Sequence, residues 1–132
     1  MSILKQIYDT IAEDGTETFF PSQHRGECTK EYVVIKLEDI TVPLTVSSER
    51  PLYTIMCYVP QNNYSRLESL IYETKQKLKK MYPIIMYVGN ETASFYDSDV
   101  KGHMKSFQYA GCRKIEQYWK ENEQCQEQKR KL

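Results

Sequence analysis

The chain has 132 residues, a length typical of one domain. Apolar residues make up 40% and charged residues 27% of the chain, so a packed core is expected and global disorder is not. Its 18 basic residues balance 18 acidic ones. This balance argues against a protein that mainly coats DNA, because counterion release needs a basic surface, although a locally basic patch stays open.

The sequence predicts no membrane association. No apolar run approaches the roughly 20 residues that a membrane helix needs. The first 15 residues contain acidic side chains and no small-residue cleavage site, so we expect no signal peptide and a protein made and kept in a cytosol. The cysteines, at positions 28, 57, 112 and 125, lack the spacing of a zinc site. Cys57 follows an apolar strand pattern, which predicts a small core residue.

A short amphipathic helix is predicted over residues 2–13. Ser2 is its expected N-terminal cap and Gly15 its stop. The apolar residues that share one face of this helix are Ile3, Leu4, Ile7, Tyr8 and Ile11. The connector that follows, residues 16–27, contains Phe19 and Phe20, which we expect to pack into the core.

Two strands are predicted next. In residues 31–37, Val33, Ile35 and Leu37 alternate with Tyr32 and Val34, which is the period of a strand. This strand can extend to Val46, with Pro43 at an edge, bulge or bend. We expect a turn or loop at residues 47–51. Residues 52–59 are nearly all apolar and predict a central strand that ends at Pro60.

The strongest local signal is a helix over residues 65–81. Ser65 and Glu68 fit a capping box, with Asn62 and Asn63 as rival caps, and Glu73 and Lys77 have the spacing of an ion pair. Pro83 cannot continue the helix and biases Tyr82 to an extended conformation. The apolar stripe predicted to face the core consists of Tyr64, Leu67, Ile71, Thr74, Leu78 and Met81.

The remaining residues predict two more strands. An apolar run at residues 84–88 is followed by a polar loop over residues 89–100. Residues 101–109 alternate in character and predict a strand, with a bulge at Gly111. Residues 112–119 fit either a continued strand or a helix, and residues 120–132 form a charged tail without apolar periodicity.

The order of these elements predicts an α+β fold. A mixed or antiparallel sheet would be packed by the N-terminal helix and one long central helix in two layers. We expect a single domain over residues 1–119, followed by the charged tail.

The sequence offers few candidates for chemistry. His24 and His103 would need to converge with a carboxylate or thiol to form a catalytic or metal site. Asp97, Asp99 and the nearby Glu91 lack the glycine and distal glutamate of a calcium loop, so a solvated loop is expected. The lysines of residues 75–80 predict a solvated helix end, with phosphate binding as the alternative. We therefore expect no enzyme activity, no metal and no cofactor.

Tyrosine is unusually frequent, at 11 residues against 4 phenylalanines. Tyrosine covers area and keeps a polar tip, which suits interfaces. Codon bias in an AT-rich genome would produce the same excess, and the sequence leaves both explanations open.

The order of elements over residues 1–118 resembles the tail terminator (tail completion) proteins of long-tailed bacteriophages and phage-tail-like particles. The segments that carry the resemblance are, in order, ILKQIYDTIAE, EYVVIKLEDI, LYTIMCYVP, YSRLESLIYETKQKLKKM and VKGHMKSFQYAGCRKIEQYW. The match is one of order and pattern. Pro43 departs from it by interrupting the first hairpin, and residues 120–132 have no counterpart.

The resemblance implies a virion protein that forms a homo-oligomeric, typically hexameric, ring on the head-proximal end of the tail tube. Its partners would be copies of itself, the tail tube protein, the neck or head connector protein and, in a contractile tail, the sheath protein. DNA would only pass through the lumen, and assembly would take place in the cytoplasm of a bacterial host.

Within this resemblance, the positions of the loops predict the interface residues. Two loops, residues 39–51 and 89–100, and the start of the late strand are the expected recognition surfaces. Glu49, Arg50, Asp97 and Asp99 would form charge pairs at the rim, and Tyr53, Phe95 and Tyr96 would be anchors. Asp39 begins the first of these loops.

Three other functions stay open from the sequence. One is a head-completion or neck adaptor protein of the virion. Another is a small α+β module that binds a ligand or nucleic acid through the lysine-rich helix end. The last is a small enzyme with a site near His24, Asp97 and Asp99.

Overall fold

The computed structural model describes residues 2–24, 26–45, 48–111 and 113–114. Residues 120–132, the predicted tail, lie outside this part of the chain, as do Cys112 and Cys125. The helices and strands in chain order are α1 Ile3–Ala12, β1 Thr18–Phe19, β2 Tyr32–Thr45, β3 Ser48–Pro60, α2 Arg66–Leu78, β4 Ile85–Gly89, β5 Phe95–Asp97, β6 Gly102–Gly111 and β7 Arg113–Lys114. A single 3₁₀ turn, Lys79–Met81, extends α2.

The strands of the described residues form one mixed sheet with the order β1-β2-β3-β6-β4. β1 runs parallel to β2, and every other pairing is antiparallel. β4 and β5 both pair with β6 on its outer side, β4 near Gly111 and β5 near Gly102. β7 pairs with the first residues of β3. This mixed sheet with its two helices confirms the predicted α+β, two-layer fold.

The first helix forms where the sequence predicts it. The Ser2 hydroxyl accepts a hydrogen bond from the Lys5 backbone N–H at 3.2 Å, which satisfies one of the free N–H groups of the first turn. Ile3, Ile7 and Ile11 are buried. Their shared face fixes the helix against the sheet, which a helix of ten residues needs because it is marginal in isolation.

The second helix confirms most of the predicted apolar stripe and corrects its beginning. Leu67, Ile71, Thr74, Leu78 and Met81 are buried, together with Leu70. Tyr64 is 53% exposed and precedes the helix, so its assignment to the core was wrong. The Ser65 side chain makes no capping hydrogen bond and its backbone is already helical; the capping-box prediction was therefore wrong too.

The main core lies between the helices and one face of the sheet. Val33 and Ile35 of β2 belong to it, while Tyr32 and Val34 pack in a smaller cluster on the opposite face, as their alternation predicts. The predicted central strand is confirmed, since β3 lies between β2 and β6 and ends at Pro60. Cys57 of β3 is fully buried, as predicted.

Two predicted loops contain strands. Within residues 39–51, β2 continues to Thr45 and β3 begins at Ser48, so this segment is mostly a paired hairpin rather than a loop. The pairing is irregular between Leu37 and Thr41 and near Pro43, which agrees with the bulge expected there. In residues 89–100 a short strand, β5, pairs with β6. Within the described part of the chain, no helix is long and apolar enough to cross a membrane.

Replacing Leu67 with alanine should destabilise the protein far more than replacing Tyr64. Leu67 is 1% exposed, and emptying such a core position costs about 3 kcal/mol. Tyr64→Ala removes a half-exposed ring in front of the helix and should cost less than about 1 kcal/mol. Urea unfolding at one protein concentration measures both free energies. An equal loss of unfolding free energy in the two variants would show that Tyr64 belongs to the core.

Candidate interaction surface

β4 is an edge strand with an exposed apolar sequence. It is the last strand of the sheet order, and its outer side pairs with no strand among the described residues. Three of its residues, Met86, Tyr87 and Val88, and Ile84 just before the strand are each between 37% and 44% exposed. An edge strand offers unpaired N–H and C=O groups to another chain, and natural proteins usually protect such edges with charges, bulges or a covering element.

A cavity of 610 Å³ lies between α2 and β4, here called the α2–β4 cleft. Its floor is formed by the core side chains Leu78, Ile85 and Tyr109. Exposed tyrosine rings form its walls, and basic and amide side chains at the end of α2 form its rim. The lining residues are Tyr72, Lys75, Gln76, Leu78, Lys79, Tyr82, Ile85, Met86, Tyr87 and Tyr109. The cleft is therefore apolar inside and positively charged at one border.

An ion-pair cluster holds the loop after β4 against α2 and β6. Lys75 Nζ lies 2.7 Å from Glu91 Oε2 and 4.7 Å from the centre of the Tyr87 ring. The Tyr87 hydroxyl donates to the same carboxylate, and Lys105 lies near both Glu91 and Glu68. Hydrogen bonds from Lys75 and then Tyr87 lower the pKa of Glu91 to about 2. The cluster fixes one wall of the cleft.

The other flank of α2 is tied to α1 and the connector. Lys77 Nζ donates to the Ile11 carbonyl at 3.0 Å and to the Asp14 carboxylate at 2.7 Å, and this lysine is the chief cause that lowers the pKa of Asp14 to about 2. Lys80 pairs with Glu13. Lys77 therefore reaches across to Asp14 and α1, and the predicted ion pair with Glu73 does not form.

Glu73, the other half of that predicted pair, bonds to Arg66. Arg66 Nη1 lies 2.6 Å from Glu73, and Arg66 Nε lies 2.9 Å from Glu31 at the start of β2. Much of the lysine-rich helix end is thus neutralised by carboxylates, which weakens the alternative of a phosphate-binding patch. Lys79 remains exposed on the rim of the cleft.

The structure separates the predicted interface residues into two groups. Asp39, Glu49 and Arg50 lie on the β2–β3 hairpin at one end of β3, with the side chains of Asp39 and Glu49 outside the described residues. The second group, on β5 and the turn after it, lies beside the opposite end of β3, since β6 pairs Gly102 with Pro60. Tyr53 belongs to neither group. It is 1% exposed in the core, so its prediction as an interface anchor was wrong.

The second group presents two exposed rings. Phe95 and Tyr96 are 47% and 45% exposed, which leaves their role as anchors open as a prediction. The Tyr96 hydroxyl donates to Gln61 Oε1 at 3.0 Å. Asp97 accepts a hydrogen bond from the Asp99 backbone N–H at 3.0 Å, so these two acids shape a turn.

The histidines lie on opposite faces of the sheet. The His24 ring stacks on Tyr32 at 3.9 Å, in the smaller cluster. His103 pairs in register with Val59, a residue of the main core, and its ring contacts Tyr64 and Tyr96. The structure therefore does not bring them together. Among the described residues, no group of three His, Cys, Asp or Glu side chains could hold a metal ion.

The two cysteines of the described residues are free thiols in buried, structural positions. Cys57 and Cys28 are buried, and burial raises the pKa of Cys57 to about 12 and that of Cys28 to about 11. Neither thiol is poised to ionise near neutral pH, which is the condition for a nucleophile.

Sequence reasoning missed the α2–β4 cleft. The apolar run of residues 84–88 predicts a strand, and a run of this kind is typical of a strand buried on both faces. In the structure Ile85 alone of the β4 residues reaches the core cluster. The position of β4 at the sheet edge depends on its long-range pairing with β6, which no local pattern reveals.

The sequence matches no known protein family, and no curated protein is similar enough to it to count as a relative.

Replacing Glu91 with glutamine should make stability less sensitive to acid. Because the folded-state pKa of Glu91 is lowered to about 2 from the ordinary 4.5, its contribution is complete above the ordinary pKa and is lost as pH falls toward 2. The side chain is 34% exposed. After screening by solvent we expect a contribution of about 1 kcal/mol.

The measurement is the free energy of unfolding of the parent chain and of Glu91→Gln from neutral pH down to about pH 2. The variant should be the less stable protein near neutral pH, and the two curves should converge in acid. Glu68→Gln is the matched control, because Glu68 also contacts Lys105 but is 73% exposed. Parallel curves for the parent chain and Glu91→Gln would contradict the assignment.

Proposed function

We propose that this chain is a structural subunit that associates with copies of itself into a ring, and that the ring is the tail terminator of a phage or phage-tail-like particle. The observation that carries the first part is the free apolar edge of β4 beside the α2–β4 cleft. The resemblance over residues 1–118 supports the second part.

The chemistry of the cleft suits association between proteins. Tyr72 and Tyr82 are 64% and 68% exposed, although tyrosine rings gain free energy when their area is covered. Aromatic residues are enriched in the buried centres of interfaces, where their hydroxyl groups can still reach a polar partner. A protein partner that covers these rings would also pair the free edge of β4.

Contacts on both flanks of α2 support a ring. Ion pairs join α2 to Asp14, after α1, through Lys77 and to the loop after β4 through Lys75. A closed ring requires the same rotation between each pair of neighbouring subunits. If this rotation does not bring the last subunit back to the first, the subunits form an open filament. Fixed wall positions on both sides of the cleft favour a single docking angle.

A ring with two different faces can cap the tail tube. One face would match the last ring of the tail tube, and the other would receive the neck or head connector without templating further tube. A contractile tail would add a contact with the sheath protein. The zero net charge agrees with a lumen through which DNA passes without strong adhesion.

The test is electron microscopy and sedimentation of the purified full chain, alone and with the tail tube protein of the same particle. We expect a closed ring, alone or on contact with tube subunits, that binds the end of assembled tubes and stops their growth. A chain that stays monomeric and binds neither tube nor connector protein would refute the proposal.

Position in the assembled particle separates a terminator from a neck adaptor. Antibody labelling of intact particles should mark the last tube ring on its head-proximal side. Labelling of the head side of the connector alone would favour the adaptor.

A further inference from the structure

We propose that the α2–β4 cleft of one copy receives Leu37 on the β2 edge of the next copy, so that the two opposite edges of the sheet join head to tail. This inference rests on the proposed ring and names the surfaces that would close it. Its partner is a second copy of this chain.

The sheet has a second free edge opposite β4. β1 pairs with β2 only at Val33 and Val34. Beyond these residues, β2 continues to Thr45 with no further strand on its outer side within the described residues. Each subunit therefore offers two different strand edges, five residues of β4 on one side and the outer part of β2 on the other.

The strand directions allow these edges to pair. β4 is antiparallel to β6, β6 to β3, and β3 to β2. A second subunit placed beside β4 in the same orientation therefore presents a β2 strand that runs antiparallel to β4. The sheet would continue across the interface with its antiparallel alternation intact and with the helices of both copies on the same face.

Leu37 then faces the cleft. It pairs in register with Tyr53, whose side chain belongs to the main core, so Leu37 lies on the helix-bearing face of the sheet. Its side chain is 37% exposed. The cleft also opens on this face, because Ile85 and Tyr109 form its floor and belong to the same core. Joining the edges places an exposed leucine over an apolar cavity.

Charge favours this pairing over its symmetric alternative. Two copies that met through β4 and β4 would bring two clefts together, each with the exposed Lys79 on its border, and like charges oppose such an approach. On the β2 edge, beside Leu37, Lys36 lies 3.3 Å from Glu38. This edge therefore brings a paired lysine toward the border of the cleft and no second row of free positive charges.

The symmetry of the two arrangements also differs. An interface between two copies of the β4 edge uses the same patch twice and stops at a dimer. An interface between β4 and β2 uses different patches, so each subunit keeps one free edge after every association. Such an interface builds a ring when its rotation closes, which the proposed function requires.

The test uses two lysine variants and a matched control. Leu37→Lys replaces the docking side chain, and Tyr72→Lys removes a wall of the cleft at a residue that is 64% exposed. Tyr64→Lys is the control, because it alters another exposed tyrosine that precedes α2 and lies outside the cleft. Thermal unfolding first verifies that all three variants fold. Sedimentation velocity and native mass spectrometry then measure association, with tube protein present if the parent chain requires it.

We expect Leu37→Lys and Tyr72→Lys each to weaken association by at least about 30-fold, the scale of an interface hot spot, while Tyr64→Lys assembles like the parent chain. Mixing the two impaired variants is the decisive step. Each supplies the edge that the other lacks, so the mixture should form a heterodimer with one intact interface and should not grow further.

Three results would overturn the inference. Normal rings from Leu37→Lys or from Tyr72→Lys would place the subunit contact elsewhere and leave the proposed ring standing. Dimers of Leu37→Lys alone, with none of Tyr72→Lys, would show that clefts meet each other. An equimolar mixture that stays monomeric would show that the two edges are not partners. A parent chain that never assembles would instead refute the proposed function itself.

Discussion

The structure depends on where its two helices lie across the sheet. α1 packs against β1 and β2, and α2 against β3 and β6. β4 pairs with the outer side of β6, one strand spacing of about 4.8 Å beyond the strands that α2 covers. Neither helix of the described residues has its main packing on β4, and the α2–β4 cleft is the resulting gap.

The position of α2 is set by contacts that are distant in sequence. Its buried stripe packs on the sheet, while Arg66 and Lys77 reach Glu31 and Asp14 on one flank. On the other flank Lys75 reaches Glu91. Each exposed pair contributes little by itself, so the buried stripe supplies most of the free energy that holds α2 on the sheet. The ion pairs add directional contacts on both flanks of the helix.

The sequence predicted those elements whose signals are local. α1, the core strand β3 and the buried face of α2 follow from periodicity, a cap at Ser2 and a stop at Pro60. The errors arose where distant contacts decide. Glu73 and Lys77 have ideal spacing for a pair, yet Arg66 and Asp14 lie closer to their charged ends in the fold. Tyr64 continues the helical period by one turn, but the chain becomes helical only after it.

The candidate site was harder to predict because an edge is a property of the whole sheet. The run at residues 84–88 has the composition of a buried strand. Among the described residues, β4 pairs with β6 and with no other strand, which makes it an edge. Residues 39–51 contain Pro43, Ser47 and Ser48, which suggest a loop. Pairing with β3 overrides these local preferences over most of the segment, and β7 adds a further partner. Tyr53 follows this segment closely in the sequence, which is why it was wrongly predicted to lie at an interface.

Association through the sheet edges would also explain why the predicted interface residues fall into two separated groups. Edge pairing extends the sheet sideways and leaves the ends of its strands free. Arg50, on the β2–β3 hairpin, lies at one of these ends, while Phe95 and Tyr96 on β5 lie at the other. In a ring built this way the two ends present different chemistry, a hairpin on one side and an aromatic turn on the other. A terminator needs such a difference, because a ring with equivalent faces would bind a further tube ring as readily as the last one.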